Sequence, residues 1–236
     1  NLNNSTLMHA SSPIQIVGSG WTDKFSSGMY FSGAIKTDGT LWMWGDNSEG
    51  QLGDGTMIHK SSPIQLPGST WYKISCGASH AASIKTDGTL WTWGSGAQGS
   101  LGYGSTITKS SPIQIQGIWS DVHCGDHFTV ALKSDNTLWA WGRNDIGQLG
   151  DGTTTNRLVA TQIGTTTKWI CIGSSDITSS ALQSDGSYWA WGLNTNGEFG
   201  NGTTTVAGSP AQITSQSNLV ALHLGGSSNL HTAILK

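Results

Sequence analysis

The chain has 236 residues, of which only 11% are charged, with 33 glycines, 12 tryptophans and a formal net charge of −3. This composition is typical of a turn-rich all-β protein and argues against a mainly helical one. The eleven lysines and arginines are scattered singly, whereas a nucleic-acid-binding surface needs them clustered. No apolar run approaches the roughly 20 residues that a membrane-spanning helix requires, so we expect neither a nucleic-acid partner nor membrane insertion.

Short strands and tight turns follow one another along the chain. The loop Gly50–Gly55 is glycine-rich, and we expect Leu52 to pack that loop onto a sheet. A strand is predicted from Ala82 to Lys85, and the Asp-Gly pair that follows favours a hairpin turn with positive φ. The next strand, Leu90–Gly94, alternates and so places its two tryptophans on one face. Each unit is therefore predicted to be an antiparallel sheet of about four strands.

A WxWG core recurs four times, and its closing glycines lie 49, 48 and 50 residues apart. The repeat signature consists of Trp42, Trp44, Gly45, Trp91, Trp93, Gly94, Trp139, Trp141, Gly142, Trp189, Trp191 and Gly192. Each core follows a segment such as AASIKTDGT, and SSPIQ or a related sequence precedes each unit, although LVATQI from Leu158 lacks the proline. Strand-rich repeats of 40 to 50 residues with one tryptophan signature per unit are typical of β-propeller blades. An open β-solenoid is the alternative, but its coils are usually shorter.

The order CGxxH, then ALKxDGxLWxWGxNxxGQLGDG, resembles the repeat of the regulator of chromosome condensation family over nearly the whole chain. The unit from Cys124 to Gly152 matches it best. The sequence is most similar to the near-identical, Ser/Thr-rich repeats common in bacterial and phage proteins. The resemblance implies a β-propeller, typically with seven blades.

We expect residues 1–236 to form a single β-propeller domain. The predicted units span 13–62, 63–111, 112–157 and 158–208, and 209–236 together with 1–12 form an incomplete fifth blade. We expect five blades in a ring closed by both termini, and the alternative is a segment of a seven-bladed propeller. Because an incomplete blade exposes sheet edges that can pair with another chain, we also expect a homo-oligomer or a place in a larger assembly.

The histidines and cysteines are interpreted as structural. His80 and His127 follow Cys-Gly pairs in a position where the family carries a packing histidine, and His9 and His59 are repeat equivalents. Cys76, Cys124 and Cys171 match no zinc or redox spacing. The acidic loop from Asp46 to Asp54 lacks the alternation of a calcium-binding loop, and no nucleophile motif is present. We predict no enzyme, no catalytic or metal site and no cofactor.

We expect a recognition or structural module that binds a protein partner and is secreted, surface-exposed or part of a virion. A glycan is the second candidate ligand. Specificity is predicted to lie at loop positions that vary between otherwise similar units. These positions are Asp46, Ser95, Arg143 and Leu193 at one repeat position, and Ser48, Ala97, Asp145 and Thr195 at another. The alternatives are a guanine-nucleotide exchange factor, which needs an inserted wedge, and an enzyme inhibitor, which only fold analogy supports.

Overall fold

The computed structural model describes residues 15–16, 18–213, 221–224 and 232–235. The predicted N-terminal contribution to a fifth blade, residues 1–12, lies outside them, as does His9. Within the described ranges the chain forms four four-stranded antiparallel sheets and one two-stranded sheet. The described part of the chain contains no helix with the length and apolar character needed to cross a lipid bilayer.

The four large sheets share one order, in which consecutive strands are neighbours. The first sheet contains β1 (Trp21–Ser27), β2 (Phe31–Lys36), β3 (Leu41–Gly45) and β4 (Lys60–Gln65). The second contains β5 (Trp71–Cys76), β6 (His80–Lys85), β7 (Leu90–Gly94) and β8 (Lys109–Ile115). The third contains β9 (Trp119–Cys124), β10 (Phe128–Lys133), β11 (Leu138–Gly142) and β12 (Arg157–Gln162). The fourth contains β13 (Trp169–Ser174), β14 (Thr178–Gln183), β15 (Tyr188–Gly192) and β16 (Ala207–Gln212).

The first strands of successive sheets lie side by side, and the two-stranded sheet of β17 (Ala221–Leu224) and β18 (Thr232–Leu235) continues the series beside β13. Hydrogen bonds join these inner strands, since Cys76 N donates to Ser26 Oγ and Cys124 N donates to Ser75 Oγ, each at 2.9 Å. The fourth strands therefore lie at the outer rim. Sheets packed face to face around a common set of inner strands are the blades of a β-propeller, so the predicted fold class is confirmed.

The second tryptophan of the WxWG core packs between blades in the second, third and fourth sheets. Trp93 is fully buried and donates through Nε1 to Gln51 O of the preceding blade at 2.9 Å, and Trp141 donates in the same way to Ser100 O. Leu52 is also fully buried and belongs to the same core as Trp93, as the glycine-rich loop predicts. A buried tryptophan removes roughly 150–250 Å² from water, which stabilises the packed blades by about 4–6 kcal/mol per residue.

The first tryptophan of each core is only half-buried and braces the hairpin turn of its own blade. Gly88 has a φ of +79°, as the Asp-Gly pair predicts. Asp87 Oδ1 accepts hydrogen bonds from the amide and hydroxyl of Thr89, and Trp91 Nε1 donates to Thr89 Oγ1 at 3.0 Å. These bonds keep the pKa of the Asp87 carboxyl below its usual value.

The SSPIQ segments, with which the sequence units begin, form the last strand of the preceding sheet. Ser61 to Gln65 lies in β4, which pairs with β3, and Ser110 to Gln114 lies in β8, which pairs with β7. The sheets consequently span 21–65, 71–115, 119–162 and 169–212. The difference from the sequence units arises because a periodic sequence gives the length of a repeat but not the point at which one sheet ends.

Candidate partner-binding face

Two sets of loops lie at the same end of the blades. One set joins the first and second strands at 28–30, 77–79, 125–127 and 175–177, and the other joins the third and fourth strands at 46–59, 95–108, 143–156 and 193–206. Backbone hydrogen bonds connect the two sets, for example from Ser95 N to Ser79 O at 2.8 Å and from Arg143 N to His127 O at 2.9 Å. We call this end the loop face, and the opposite end, with the hairpin turns 37–40, 86–89, 134–137 and 184–187, the turn face.

All eight predicted contact positions lie on the loop face, two in each blade. Ser48, Asp145 and Thr195 are exposed, whereas Asp46, Ala97, Arg143 and Leu193 are half-buried. Ser95 is only 6% exposed and its carbonyl accepts a hydrogen bond from Ser100 Oγ at 2.6 Å, so this residue shapes its loop. The blades bring the eight positions to one end but do not gather them into a single cluster.

A buried asparagine holds three of the four long loops in one conformation. Asn144 is fully buried, and its side-chain amide donates to Asp151 Oδ1, Thr153 O and Thr155 O at 3.0 to 3.1 Å. Its Oδ1 accepts from Leu149 N at 3.0 Å. Asn47 and Asn194 occupy the equivalent places in their blades, while the second blade has Gly96. The exposed side chains of these loops are therefore presented on a fixed frame.

The part of the loop face on the third and fourth blades is charged. The Arg143 guanidinium pairs with Asp145 at 2.7 Å and with Asp126 of the neighbouring loop at 3.3 Å. Hydrogen bonding to Asp145 raises the pKa of Arg143, and the same contact lowers the pKa of Asp145. His127 Nε2 lies 3.7 Å from Asp126 Oδ1. Two of the predicted positions thus belong to one ion-pair network with residues of the adjacent loop.

Asp176 carries the most perturbed carboxyl group of this face. Asp126 N donates to Asp176 O at 3.0 Å, which brings the loops of the third and fourth blades together. Burial, and then the charge of Asp126, raises the pKa of Asp176 to about 6, and its Oδ1 is buried without a hydrogen-bond partner. The sequence analysis missed Asp126 and Asp176, although the repeat alignment holds a signal, because Met29 and Ala78 occupy the same position in the first two blades.

On the first two blades the loop face carries several exposed apolar side chains beside its polar ones. Met29 and Tyr30 are 54% and 58% exposed in the loop between β1 and β2. Met57, Ile58 and Ile107 are likewise exposed farther out. Exposed apolar side chains grouped on one surface often mark sites of protein interaction. The loop face therefore presents exposed apolar side chains on the first two blades and the network around Arg143 on the third.

A second group of charged residues lies on the inner strands. The Lys73 ammonium pairs with Asp121 of the next blade and lies 3.2 Å from His123 Nε2. Lys24 Nζ lies 3.8 Å from the centre of the Tyr72 ring. These contacts join neighbouring inner strands, and each side chain in them already has a partner.

His59, His80, Cys76 and Cys124 make structural contacts. His80 is fully buried, with Nε2 3.0 Å from Thr129 Oγ1, and burial lowers its pKa to about 3, so it is neutral. His59 Nδ1 accepts a hydrogen bond from Asn47 N at 2.9 Å. Burial raises the pKa of the Cys124 thiol to about 12 and that of Cys76 further, which makes both poor nucleophiles. Among the described residues, no three His, Cys, Asp or Glu side chains converge at a distance suited to a metal ion.

Comparison with protein-family models gives matches to the Regulator of chromosome condensation (RCC1) repeat at residues 38–84, 87–132 and 135–175. A second model with the same description matches 23–51, 71–100 and 119–148. The chain belongs to the RCC1 repeat family. The matches of the first model begin in the hairpin turn of one blade and end in the next blade, and those of the second model cover the first three strands of a blade. The repeat observed in the sequence is therefore the RCC1 repeat.

Solved RCC1-type structures share this fold. Human WBSCR16 is 21% identical, with a TM-score of 0.81 over 95% of this chain and 60% of that one. Yeast RCC1 (Prp20), in its complex with Kap60, is 18% identical, with a TM-score of 0.79 over 92% of this chain and 54% of that one. Prp20p from Saccharomyces cerevisiae is 20% identical, with a TM-score of 0.71 over 84% and 51%. The chain thus spans about half to 60% of the length of these relatives. Comparison with curated protein sequences returned no match.

Proposed function

We propose that this RCC1-repeat propeller is a non-enzymatic recognition module that binds a protein partner through its loop face. The observation that carries the proposal is the position of the residues that differ between otherwise similar blades. Arg143, Asp145, Asp126 and Asp176 form a charged group on that face, and Tyr30 is one of its exposed apolar side chains. An apolar patch beside a set of charges suits a protein surface, because the apolar part supplies affinity and the charges supply orientation.

The related structures support protein binding in general terms. Yeast RCC1 (Prp20) was solved in complex with Kap60, and the Saccharomyces cerevisiae Prp20p structure was described together with binding to Gsp1p and histones. For this chain we infer only that it binds a protein partner. We do not propose nucleotide exchange, because residues 18–213 contain no inserted wedge and the longest connections between their strands are the 14-residue loops of the loop face.

We further propose that the module acts on a surface outside the cytoplasm, in a secreted protein or a virion of bacterial or phage origin. The support is compositional, since charged residues make up 11% of the chain and its repeats are rich in Ser, Thr and Gly. Assembly of several copies belongs to the same proposal. The chain's native location, determined by fractionation, and its mass in solution test these two points separately.

The proposed face is tested with matched variants of the full chain. A partner captured from the native host is purified, and its affinity is measured for the wild type, for Tyr30→Ala and Arg143→Ala on the loop face, and for Thr86→Ala on the turn face. Because a few residues carry most of the energy of an interface, we expect at least one loop-face variant to bind about tenfold or more weakly. Thr86→Ala should bind like the wild type. If Thr86→Ala alone weakened binding of the partner, the assignment of the binding site to the loop face would be refuted.

A further inference from the structure

A groove between the second and third blades is lined by residues that depart from the repeat. It has a volume of about 450 Å³, which lies in the range of small-molecule sites. The residues that line it are Gly102, Tyr103, Gln114, Ile115, Gln116, Lys133, Trp139, Val159 and Ala160. It runs along the side of the propeller, from the loop that follows β7 to the lysine at the end of β10.

Tyr103 occupies a position at which the first and third blades have an aspartate. Asp54 closes its own loop, accepting hydrogen bonds from Thr56 N at 3.0 Å and Asn47 Nδ2 at 3.1 Å. The second blade lacks both residues of this hydrogen-bonded pair, because Tyr103 replaces the aspartate and Gly96 replaces the asparagine. Tyr103 instead donates its hydroxyl to Ile107 O at 2.6 Å, and its ring lines the groove. The substitution changes a residue that serves its own loop into one that borders the neighbouring blade.

Three further departures fall on the same groove. Val159 stands where the other blades have Ser62, Ser111 and Ser209, and Ala160 stands where they have proline. Gln116 replaces Pro67 of the first blade and Gly164 of the third.

The lining combines aromatic rings with free carboxamides. The Trp139 ring is half-buried, and the Lys133 ammonium lies 3.6 Å from its centre. Gln114 and Gln116 are exposed, and within the described ranges neither carboxamide has a hydrogen-bond partner. Carboxamides both donate and accept hydrogen bonds, which matches hydroxyl groups. No carboxylate lines the groove, so a cationic ligand would find no counter-charge there.

We propose that this groove binds one or two pyranose rings of a glycan. A pyranose has an apolar C–H face, which suits the Tyr103 ring, and a rim of hydroxyl groups, which suits Gln114 and Gln116. The groove begins in the loop 95–108 of the loop face and continues along the side of the propeller to Lys133. It adds a second ligand to the proposed protein-binding function and does not depend on that function.

The test uses the full chain and defined oligosaccharides. Neutral hexaoses of glucose and of N-acetylglucosamine, and a hexamer of galacturonic acid, are titrated by calorimetry and by saturation-transfer NMR. We expect at least one of them to bind with a Kd of about 0.1–1 mM, a range typical of a small contact. The acidic probe distinguishes a contribution of Lys133 from binding of the sugar ring alone.

Two variants locate the binding. Tyr103→Asp restores the residue of the first and third blades, and Gln116→Ala changes an exposed side chain. Each should weaken binding at least tenfold, while Gln65→Ala, the equivalent of Gln114 in the first blade, should bind like the wild type. Thermal unfolding confirms that the variants fold. The proposal is overturned if no probe binds at 10 mM, if binding survives both groove variants, or if they weaken binding of the protein partner instead.

Discussion

Packing between blades is tested most sharply by one pair of glycines. Gly150 and Gly200 are repeat equivalents with similar backbone conformations, φ +81° and φ +66°. A Cβ at Gly150 would lie 2.7 Å from Nε1 of Trp191, which is fully buried in the next blade. A Cβ at Gly200 would meet no atom of the described residues within 4 Å. Gly150→Ala and Gly200→Ala therefore differ in blade packing and share the cost of a left-handed alanine.

The expected free energies follow from these contacts. Alanine in the left-handed region costs about 1–2 kcal/mol, and the loss of unfolded-chain entropy offsets about 0.4–1 kcal/mol of it in both variants. Gly200→Ala should thus lower the free energy of unfolding by about 1 kcal/mol. Crowding of Trp191 adds roughly 1–3 kcal/mol in Gly150→Ala alone. At about 2–4 °C per kcal/mol for a domain of this size, Gly150→Ala should melt roughly 2–12 °C below Gly200→Ala.

The assay is thermal unfolding followed by near-ultraviolet circular dichroism, which reports on the tryptophan environment. Equal melting temperatures for the two variants would refute the packing of Trp191 against the glycine of the preceding blade. A lower melting temperature for Gly200→Ala would do so as well.

Two further predictions concern the loop face. Asn144→Ala leaves the amide of the fully buried Leu149 without its acceptor and Thr153 O and Thr155 O without their donor. Urea unfolding should therefore show a loss of about 2–4 kcal/mol, and a loss below about 0.5 kcal/mol would contradict the proposed frame. The pKa of Asp176 is about 6 in the folded protein and 3.8 for a free carboxyl group, so the folded state binds this proton more tightly than the unfolded state. The stability that the bound proton provides is therefore lost as pH rises through 6. Asp176→Asn should therefore raise the free energy of unfolding at pH 8 by about 1 kcal/mol after solvent screening and leave it unchanged near pH 4. An equal increase in the free energy of unfolding at pH 4 and pH 8 would exclude titration of Asp176 as its cause.

The sequence predicts the parts of this fold that depend on neighbours within one unit. Alternation in Leu90–Gly94 predicts the strand, the Asp-Gly pair predicts the positive φ of Gly88, and the apolar residue within the glycine-rich loop predicts the burial of Leu52. Each of these features is decided by residues a few positions apart. The length of the repeat and the tryptophan signature then predict the propeller.

The sequence does not predict which residues of neighbouring blades are in contact. Asp126 and Asp176 lie 50 residues apart in sequence, and only the packing of two blades brings their loops together. Lys73 and Asp121 meet across neighbouring inner strands for the same reason. Tyr103 appeared in the sequence as an ordinary loop variation, because its new neighbours, Trp139 and Val159, belong to the next blade. The repeat register aligns equivalent positions but does not say which of them face each other.

The measurement that tests the account most directly is site-specific photocross-linking in the native host. A benzophenone amino acid is placed at Ser48, Asp145 or Thr195, which are exposed on the loop face, and at Thr86 or Ser184, which are exposed on the turn face. We expect one protein to be cross-linked from loop-face positions and from neither turn-face position. Cross-links to a single partner from Thr86 or Ser184, with none from the loop face, would contradict the proposed mode of recognition.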